Sequence, residues 1–118
     1  MSGFGPLTVS FNGWYVDGTK VDTATKGETV VARITLSGGG AGQYKMRVRR
    51  DIAWAGDATI TESLFSYDGI SITKELTFIP PYASDEASTN GYHLDLLKNG
   101  DTLWTLTNAY PPRLWVTK

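Results

Sequence analysis

The sequence contains no cysteine and only one histidine. The lack of cysteine excludes disulfides, thiolate metal sites and a cysteine nucleophile. With His93 as the only imidazole, a zinc site would need carboxylates as all of its other protein ligands. These absences leave little material for catalysis or for a bound metal, so we expect no catalytic residues, no metal site and no cofactor.

Long apolar runs and the helical spacing of apolar residues are also missing. No run approaches the roughly 20 apolar residues that cross a bilayer, so membrane insertion is not expected. The first residues lack the basic and apolar segments of a signal peptide, which indicates a cytoplasmic protein or a module from a longer exported chain. We favour the exported module. The formal net charge of −1 gives no reason to expect nucleic acid as a partner.

The most regular part of the sequence is residues 27–52, where two runs alternate apolar and polar side chains. From Val30 to Leu36, and again from Tyr44 to Val48, every second residue is apolar. This period of two predicts two strands that each bury one face. The glycines between them lead into a strand and not into a helix, which argues against a phosphate-binding loop.

Turn signals recur along the rest of the chain. Asp17-Gly18 and Asn99-Gly100 are typical of tight hairpins, and Pro80-Pro81 ends a strand because proline donates no ladder hydrogen bond. Lys74 interrupts an apolar face, which indicates an edge strand, a bulge or a side chain that reaches water. The pattern predicts one domain over residues 1–118. The predicted fold of this domain is an all-β, immunoglobulin-like antiparallel β-sandwich of seven to nine strands, with a small barrel as the alternative.

The alternation also predicts which side chains fill the core. The predicted core residues are Val30, Ile34, Leu36, Tyr44, Met46, Val48, Leu76, Phe78, Tyr92 and Leu94. Residues 52–66 are less regular and predict one or two short edge strands. Their expected apolar anchors are Trp54, Ile60, Leu64 and Phe65.

The order of these elements resembles one family. Lys26-Gly27-Glu28 leads into a long strand, a glycine-rich link follows, and Gly91-Tyr92-His93-Leu94 precedes the Asn99-Gly100 hairpin. This layout is similar to the CARDB-like (cell-adhesion-related, bacterial and archaeal) group of immunoglobulin-like modules, over roughly residues 23–108. The resemblance implies a repeat-type module of secreted prokaryotic proteins, and related sandwiches decorate virions. It supplies no catalytic residues.

Several polar residues are candidates for a site. His93 has the outward parity of its strand, beside Asp95, and we expect a surface histidine near a carboxylate. Lys45, Arg47 and Arg49, with Arg50 at their end, form a basic stripe that Asp95 and His93 on the neighbouring strand should partly neutralise. We expect a solvated sheet face there, with a site for an anionic ligand as the alternative. The carboxylates lie mostly in turns, without the spacing of a calcium loop, so a loop calcium site and a glycosidase acid pair both remain minor alternatives.

The four tryptophans exceed what the core of one sandwich needs. Trp104 and Trp115 lie in short C-terminal strands, so at least one of them should be partly exposed. With Tyr82 and Tyr110 they form the candidate interaction surface, which fits protein partners or self-association, or a carbohydrate.

Three functional hypotheses follow. The first is a non-enzymatic module of a cell-surface or virion protein, extracellular as part of a larger chain, that acts in structural assembly or adhesion. The second is a carbohydrate-binding module that uses the exposed aromatic rings. The third is a small hydrolase domain.

Overall fold

The structure is a computed structural model that describes residues 5–54, 56–107, 109 and 112–118. Throughout these residues the chain forms ten β-strands and no helix, so the prediction of an all-β fold is confirmed. The strands are β1 Thr8–Val16, β2 Thr19–Val21, β3 Thr23–Thr25, β4 Val30–Ser37, β5 Gly42–Ile52, β6 Ala58–Tyr67, β7 Ile72–Phe78, β8 Thr89–Lys98, β9 Asp101–Thr105 and β10 Trp115–Thr117. Among the described residues there is accordingly no helical segment with the length and apolarity to span a membrane.

Two four-stranded antiparallel sheets form an immunoglobulin-like sandwich. The first sheet has the order β2-β1-β4-β7 and the second the order β6-β5-β8-β9. A short parallel pair, β3 with β10, is joined to β8 by a bridge between Tyr92 and Leu114. The chain crosses between the two sheets after β4, β6 and β7, so each sheet is assembled from strands that are distant in sequence.

The alternating runs form the central strands β4 and β5. Every second residue of β4 is buried and the others are half-buried, and Tyr44 to Val48 in β5 follow the same rule. Between the two strands, Gly38 and Gly39 have φ angles of +70° and +73°. Because side chains with a Cβ adopt this left-handed region at a cost, the glycine-rich link suits the reversal from one sheet to the other.

The core lies between the two sheets. All ten residues predicted for the core are buried, so that prediction is confirmed. Trp14 on β1 is buried with them, and its ring meets Phe11 and Phe78 edge to face, with centroids 5.3 and 5.8 Å away. The Trp14 indole Nε1 donates a hydrogen bond to the Pro112 carbonyl at 2.6 Å, which satisfies the one polar group that the ring brings inward.

Two details differ from the sequence-based expectations. The strands number ten in the described residues, beyond the seven to nine predicted, and three of them, β2, β3 and β10, have only three residues each. Residues 52–66 contribute most of one long strand, β6, which pairs with β5 from Ala58 to Tyr67. In that register Phe65 shares the inner face with Tyr44, and Leu64 therefore points outward.

Two of the expected apolar anchors of residues 52–66 are consequently wrong. Leu64 is 68% exposed, and Trp54, in the turn between β5 and β6, is 99% exposed. Phe65 is buried and Ile60 packs against the core, so these two anchors are confirmed. Lys74 lies on β7, which pairs with β4 alone in the described sheet, as expected for an edge strand. Its ammonium lies 5.1 Å from the centre of the Phe65 ring.

The sandwich has two ends that are used as reference points below. The Gly38 end contains the β4–β5 link, the β6–β7 link and the β8–β9 turn (residues 38–41, 68–71 and 99–100). The Trp54 end contains the described residues between β5 and β6 (residues 53–54 and 56–57) and the β7–β8 connection (residues 79–88).

Candidate functional site

The outer face of the second sheet carries a cluster of charged side chains. In the register of β5 and β8, Arg47 lies opposite Asp95 and Arg49 lies opposite His93. The Arg47 Nε donates a hydrogen bond to Asp95 Oδ2 at 2.9 Å. The predicted neutralisation of the basic stripe by the neighbouring strand is therefore confirmed for this pair.

His93 is the centre of the cluster, and it lies between carboxylates on both sides. Its Nδ1 is 2.5 Å from Asp51 Oδ1, and its Nε2 is 3.3 Å from Asp95 Oδ1 and 3.8 Å from Asp57 Oδ2. The second oxygen of Asp51 accepts a hydrogen bond from Arg113 Nη1 at 2.6 Å. We call Asp51, His93, Asp95, Arg47 and Arg113 the His93 network.

The expectation of a surface histidine is wrong, because His93 is only 3% exposed. Its parity is outward, as predicted, but that face is not open to water here. Asp51 lies against the ring and is held in turn by Arg113, whose guanidinium also donates to the carbonyl oxygens of Leu106 and Thr107. Two of the carboxylates around the ring, those of Asp51 and Asp57, lie outside β8, so the alternation of β8 does not report these neighbours.

The network moves the pKa values of its members away from their ordinary values. Burial alone lowers the pKa of His93, but its hydrogen bonds and charge interactions with Asp51 and Asp95 outweigh burial and raise the pKa to about 9. Burial alone raises the pKa of Asp95, but the bonds from His93 and Arg47 lower it to about 2. For Asp51, His93 and Arg113 likewise outweigh burial and lower the pKa. At neutral pH the network therefore holds an imidazolium between carboxylates.

The carboxylates around His93 include groups that can bind a metal ion. Asp51, Asp57 and His93 offer ligand atoms within 4.8 Å of one another. Asp51 already contacts the ring and Arg113, however, and a metal on the ring would have to displace the proton that the carboxylates stabilise. Arg47 and Arg113 add positive charge beside the same carboxylates. The residues fit an ion-pair network better than a cation site.

The remaining members of the basic stripe have other partners. Lys45 pairs with Glu62 of β6 at 3.3 Å, and Arg49 donates to the backbone carbonyl of Asp57. Arg50 points the other way. Its Nη1 donates to the Ala87 carbonyl at 3.1 Å and to Thr89 Oγ1 at 2.8 Å, and its guanidinium lies 4.5 Å from the centre of the Tyr82 ring.

The candidate aromatic residues do not share one face. Trp104 pairs with Leu96 and points to the core side, where it is half-buried. Trp115 points away from its buried neighbours Leu114 and Val116 and is 38% exposed, and Tyr82 is 39% exposed at the Trp54 end. The expectation that at least one of the two C-terminal tryptophans is partly exposed is confirmed. Tyr110 lies outside the described residues.

Trp54, the most exposed aromatic side chain of the described residues, was missed as a candidate by sequence reasoning. It has a φ angle of +69°, which is unusual for a bulky side chain, and it occupies the turn at the end of β5. A sequence signal was present in the small residues that follow it, Ala55-Gly56-Asp57, which are typical of a turn. A turn residue has no strand neighbours to bury it.

Comparison with known proteins gives a likeness of fold and nothing more specific. No family model matches the chain, and no curated protein matches it. Among solved structures, the chain is similar to a β-glucosidase, EmGH1, of Erythrobacter marinus, with a TM-score of 0.51 and 8% sequence identity. The similarity covers 94% of this chain and 16% of that chain. The CARDB-like resemblance stays a prediction.

Proposed function

We propose that this chain is a non-enzymatic, immunoglobulin-like module of a larger cell-surface or virion protein, acting in structural assembly or adhesion. The observation that carries the proposal is the path of the chain through the sandwich. β1 starts at the Gly38 end, where Thr8 pairs with Ser37, and β10 finishes at the Trp54 end, where Thr117 pairs with Thr25. Entry and exit at opposite ends allow such modules to follow one another in line.

The chemistry of the charged cluster supports a structural role over an enzymatic one. Both ring nitrogens of His93 face carboxylates, so neither is placed to take a proton from a nucleophile. The ring is also buried, so a substrate would have to displace surrounding side chains to reach it. The same bonds that keep the ring from substrate tie β5, β8 and the segment before β10 together.

The comparison with solved structures supports the proposal that the domain is one module of a longer chain. A similar fold occupies 16% of the longer β-glucosidase chain, so this kind of sandwich occurs beside other domains. We expect the same arrangement for this chain, with binding carried by exposed aromatic side chains such as Trp115 and Tyr82. Aromatic residues of this kind dominate the energetics of many protein interfaces.

The linear arrangement can be tested with two copies of the chain joined in tandem by a short linker. The single sandwich measures 50 × 32 × 22 Å, so small-angle scattering of the tandem should give a maximum dimension of roughly twice the long axis. A compact tandem, in which the two copies lie side by side, would contradict the linear arrangement. Turnover of nitrophenyl glycosides or esters by the wild-type chain, lost in His93→Gln, would contradict the non-enzymatic assignment.

Carbohydrate binding is the second candidate. It is favoured by the exposed rings of Trp115 and Tyr82 and by the occurrence of a similar fold within a β-glucosidase chain. Titration with soluble β-gluco-oligosaccharides should then quench or shift the tryptophan fluorescence, and Trp115→Ala should reduce the change. If no glycan of a panel changes the tryptophan fluorescence, the assembly role is the better explanation.

A further inference from the structure

Three of the four asparagines are followed by glycine, a pair that is prone to a spontaneous reaction of the backbone. The pairs are Asn12-Gly13, Asn90-Gly91 and Asn99-Gly100. In this reaction the glycine nitrogen attacks the side-chain amide carbon of the asparagine, and glycine favours the attack because it has no Cβ and its backbone rotates easily. All three pairs have this local chemistry, so the fold has to decide which of them reacts.

The first pair is held inside β1. Gly13 is buried and lies opposite Arg33 of β4, and a Cβ added to it would lie 2.7 Å from the side chain of Lys20, which covers it. The side-chain oxygen of Asn12 accepts a hydrogen bond from Thr35 Oγ1 at 3.0 Å. Neighbouring strands therefore hold both the attacking backbone and the amide that would be attacked.

The second pair lies within β8, an interior strand of the second sheet between β5 and β9. Asn90 is exposed, but Gly91, which carries the attacking nitrogen, is buried. Turning that nitrogen toward the side chain would require an interior strand to open. Such strands open only at a free energy near that of global unfolding, so this pair is protected as well.

The third pair differs from the other two, because both of its residues are exposed. Asn99 and Gly100 form the two-residue turn between β8 and β9, with Lys98 and Asp101 paired at its base. Apart from the adjacent residues, a Cβ added to Gly100 would meet no atom of the described chain within 4 Å. β9 is an edge strand, so this turn can open without disturbing an interior strand.

We propose that Asn99 is a site of spontaneous deamidation, through a succinimide ring closed by the nitrogen of Gly100. The Gly100 nitrogen loses its proton to a solvent base and bonds to Asn99 Cγ. The bond between Cγ and the side-chain nitrogen then breaks, and this nitrogen takes a proton from water and leaves as ammonia. Water opens the ring at either carbonyl and gives aspartate or isoaspartate. The reaction needs no oxidant or metal, and it is independent of the assembly role proposed above.

The two products should affect the hairpin differently. Both replace an amide with a carboxylate, so the formal net charge changes from −1 to −2. Aspartate preserves the turn, because Asp-Gly suits the same tight hairpin as Asn-Gly. Isoaspartate carries the backbone through the side-chain carbon and lengthens a turn whose φ angles are +53° and +84°. Since the length of a hairpin loop fixes the strand register, this product should weaken the pairing of β9 with β8.

Mass spectrometry of the aged, folded chain tests the proposal. The chain is kept in mildly alkaline buffer at physiological temperature and then digested with trypsin, which places the three asparagine–glycine pairs in three different peptides. Each deamidation adds one dalton, and fragmentation separates Asn99 from Asn108 in the last peptide. Asn99 should convert at least about tenfold faster than Asn12 or Asn90, which corresponds to about 1.4 kcal/mol less free energy for local opening. Its rate should rise with pH, because the deprotonated amide is the nucleophile.

The same chain unfolded in urea is the matched control, because it keeps the three pairs and removes the fold. All three should then convert at similar rates. Asn99→Asp provides the aspartate product as a standard, and it should abolish the fast mass gain while the rates at Asn12 and Asn90 stay unchanged. The proposal is overturned if Asn12 or Asn90 converts as fast as Asn99 in the folded chain. It is equally overturned if Asn99 keeps its lead in urea, because the sequence and not the fold would then set the order.

Discussion

The two faces of β5 are built on opposite physical principles. The inner face presents Tyr44, Met46 and Val48 to the core, where burial is favourable for any apolar side chain of suitable volume. The outer face presents Arg47 and Asp51 to the His93 network, where each group needs a particular partner at a particular distance. The inner face should therefore accept other apolar side chains as long as their volume is similar. The outer face should instead depend on the chemical identity of each charged side chain and less on its volume.

The difference also affects how each face responds to solution conditions. Burial of apolar surface does not depend on proton concentration, so the core should be insensitive to moderate changes of pH. The His93 network depends on the ionisation of all its members, because an unpaired charge in a buried position is costly. Four experiments separate the two contributions.

The largest effect should come from the inner side. Trp14→Ala removes a fully buried ring that contacts Phe11 and Phe78, and we expect the free energy of unfolding to fall by about 4 kcal/mol. Urea unfolding measures the change. Trp115→Ala is the control and should cost less than about 1 kcal/mol, because that ring is partly exposed. Equal losses would mean that Trp115 supports the fold as Trp14 does.

Removing one member of the His93 network should have the next largest effect. Asp51→Ala leaves His93 and Arg113 without their shared carboxylate, and we expect a loss of about 3 kcal/mol in unfolding free energy. Asp57→Ala is the matched control, because Asp57 is half-exposed and its carboxylate is 3.8 Å from the ring. It should cost less than about 1 kcal/mol. If the two variants are equally stable, the network does not stabilise the fold as argued.

The pH dependence of stability should report the same network. His93 has a raised pKa of about 9 in the fold against an ordinary 6.5, so its contribution is complete below about pH 6.5. It is lost as the pH rises toward 9, with an expected decrease of about 2 kcal/mol in unfolding free energy. Asp95 has a lowered pKa, so its contribution is lost at the other extreme, as the pH falls from 3.8 toward about 2.

Urea titrations at pH 5, 7 and 9 measure this slope. His93→Asn should be less stable at pH 5 and should show little change between pH 6.5 and 9. A wild-type chain whose stability is flat over this interval would show that the ring does not change its charge there.

The smallest expected effect is that of a chelator. Because the network already balances its carboxylates with His93, Arg47 and Arg113, its stability does not call for a metal ion. EDTA should leave the melting temperature unchanged within about 1 °C. A decrease of more than about 5 °C, which corresponds to roughly 1 kcal/mol for a domain of this size, would indicate a bound metal.

The fold was largely predictable because its signals are local. The alternation of β4 and β5 specified which side chains face inward, and Asn99-Gly100 marked a tight turn between β8 and β9. The pairing of Arg47 with Asp95 was also accessible, since both lie at outward positions of strands expected to be neighbours. The strand boundaries were harder to predict from the sequence. The partner strand determines whether a short segment such as residues 19–25 pairs as one strand or as two.

By itself the sequence determined the class of the fold, the inner face of each central strand and the small number of residue types suited to catalysis. Only the tertiary structure decided that His93 is buried, because the carboxylate against its ring belongs to Asp51 on another strand, and Arg113 holds that carboxylate from a third segment. The tertiary structure alone also decided that the side chains of Trp54 and Leu64 are exposed. Periodicity reports which side of a strand a residue occupies, but what covers that side depends on contacts between distant segments. Those contacts are set by the packing of the whole domain.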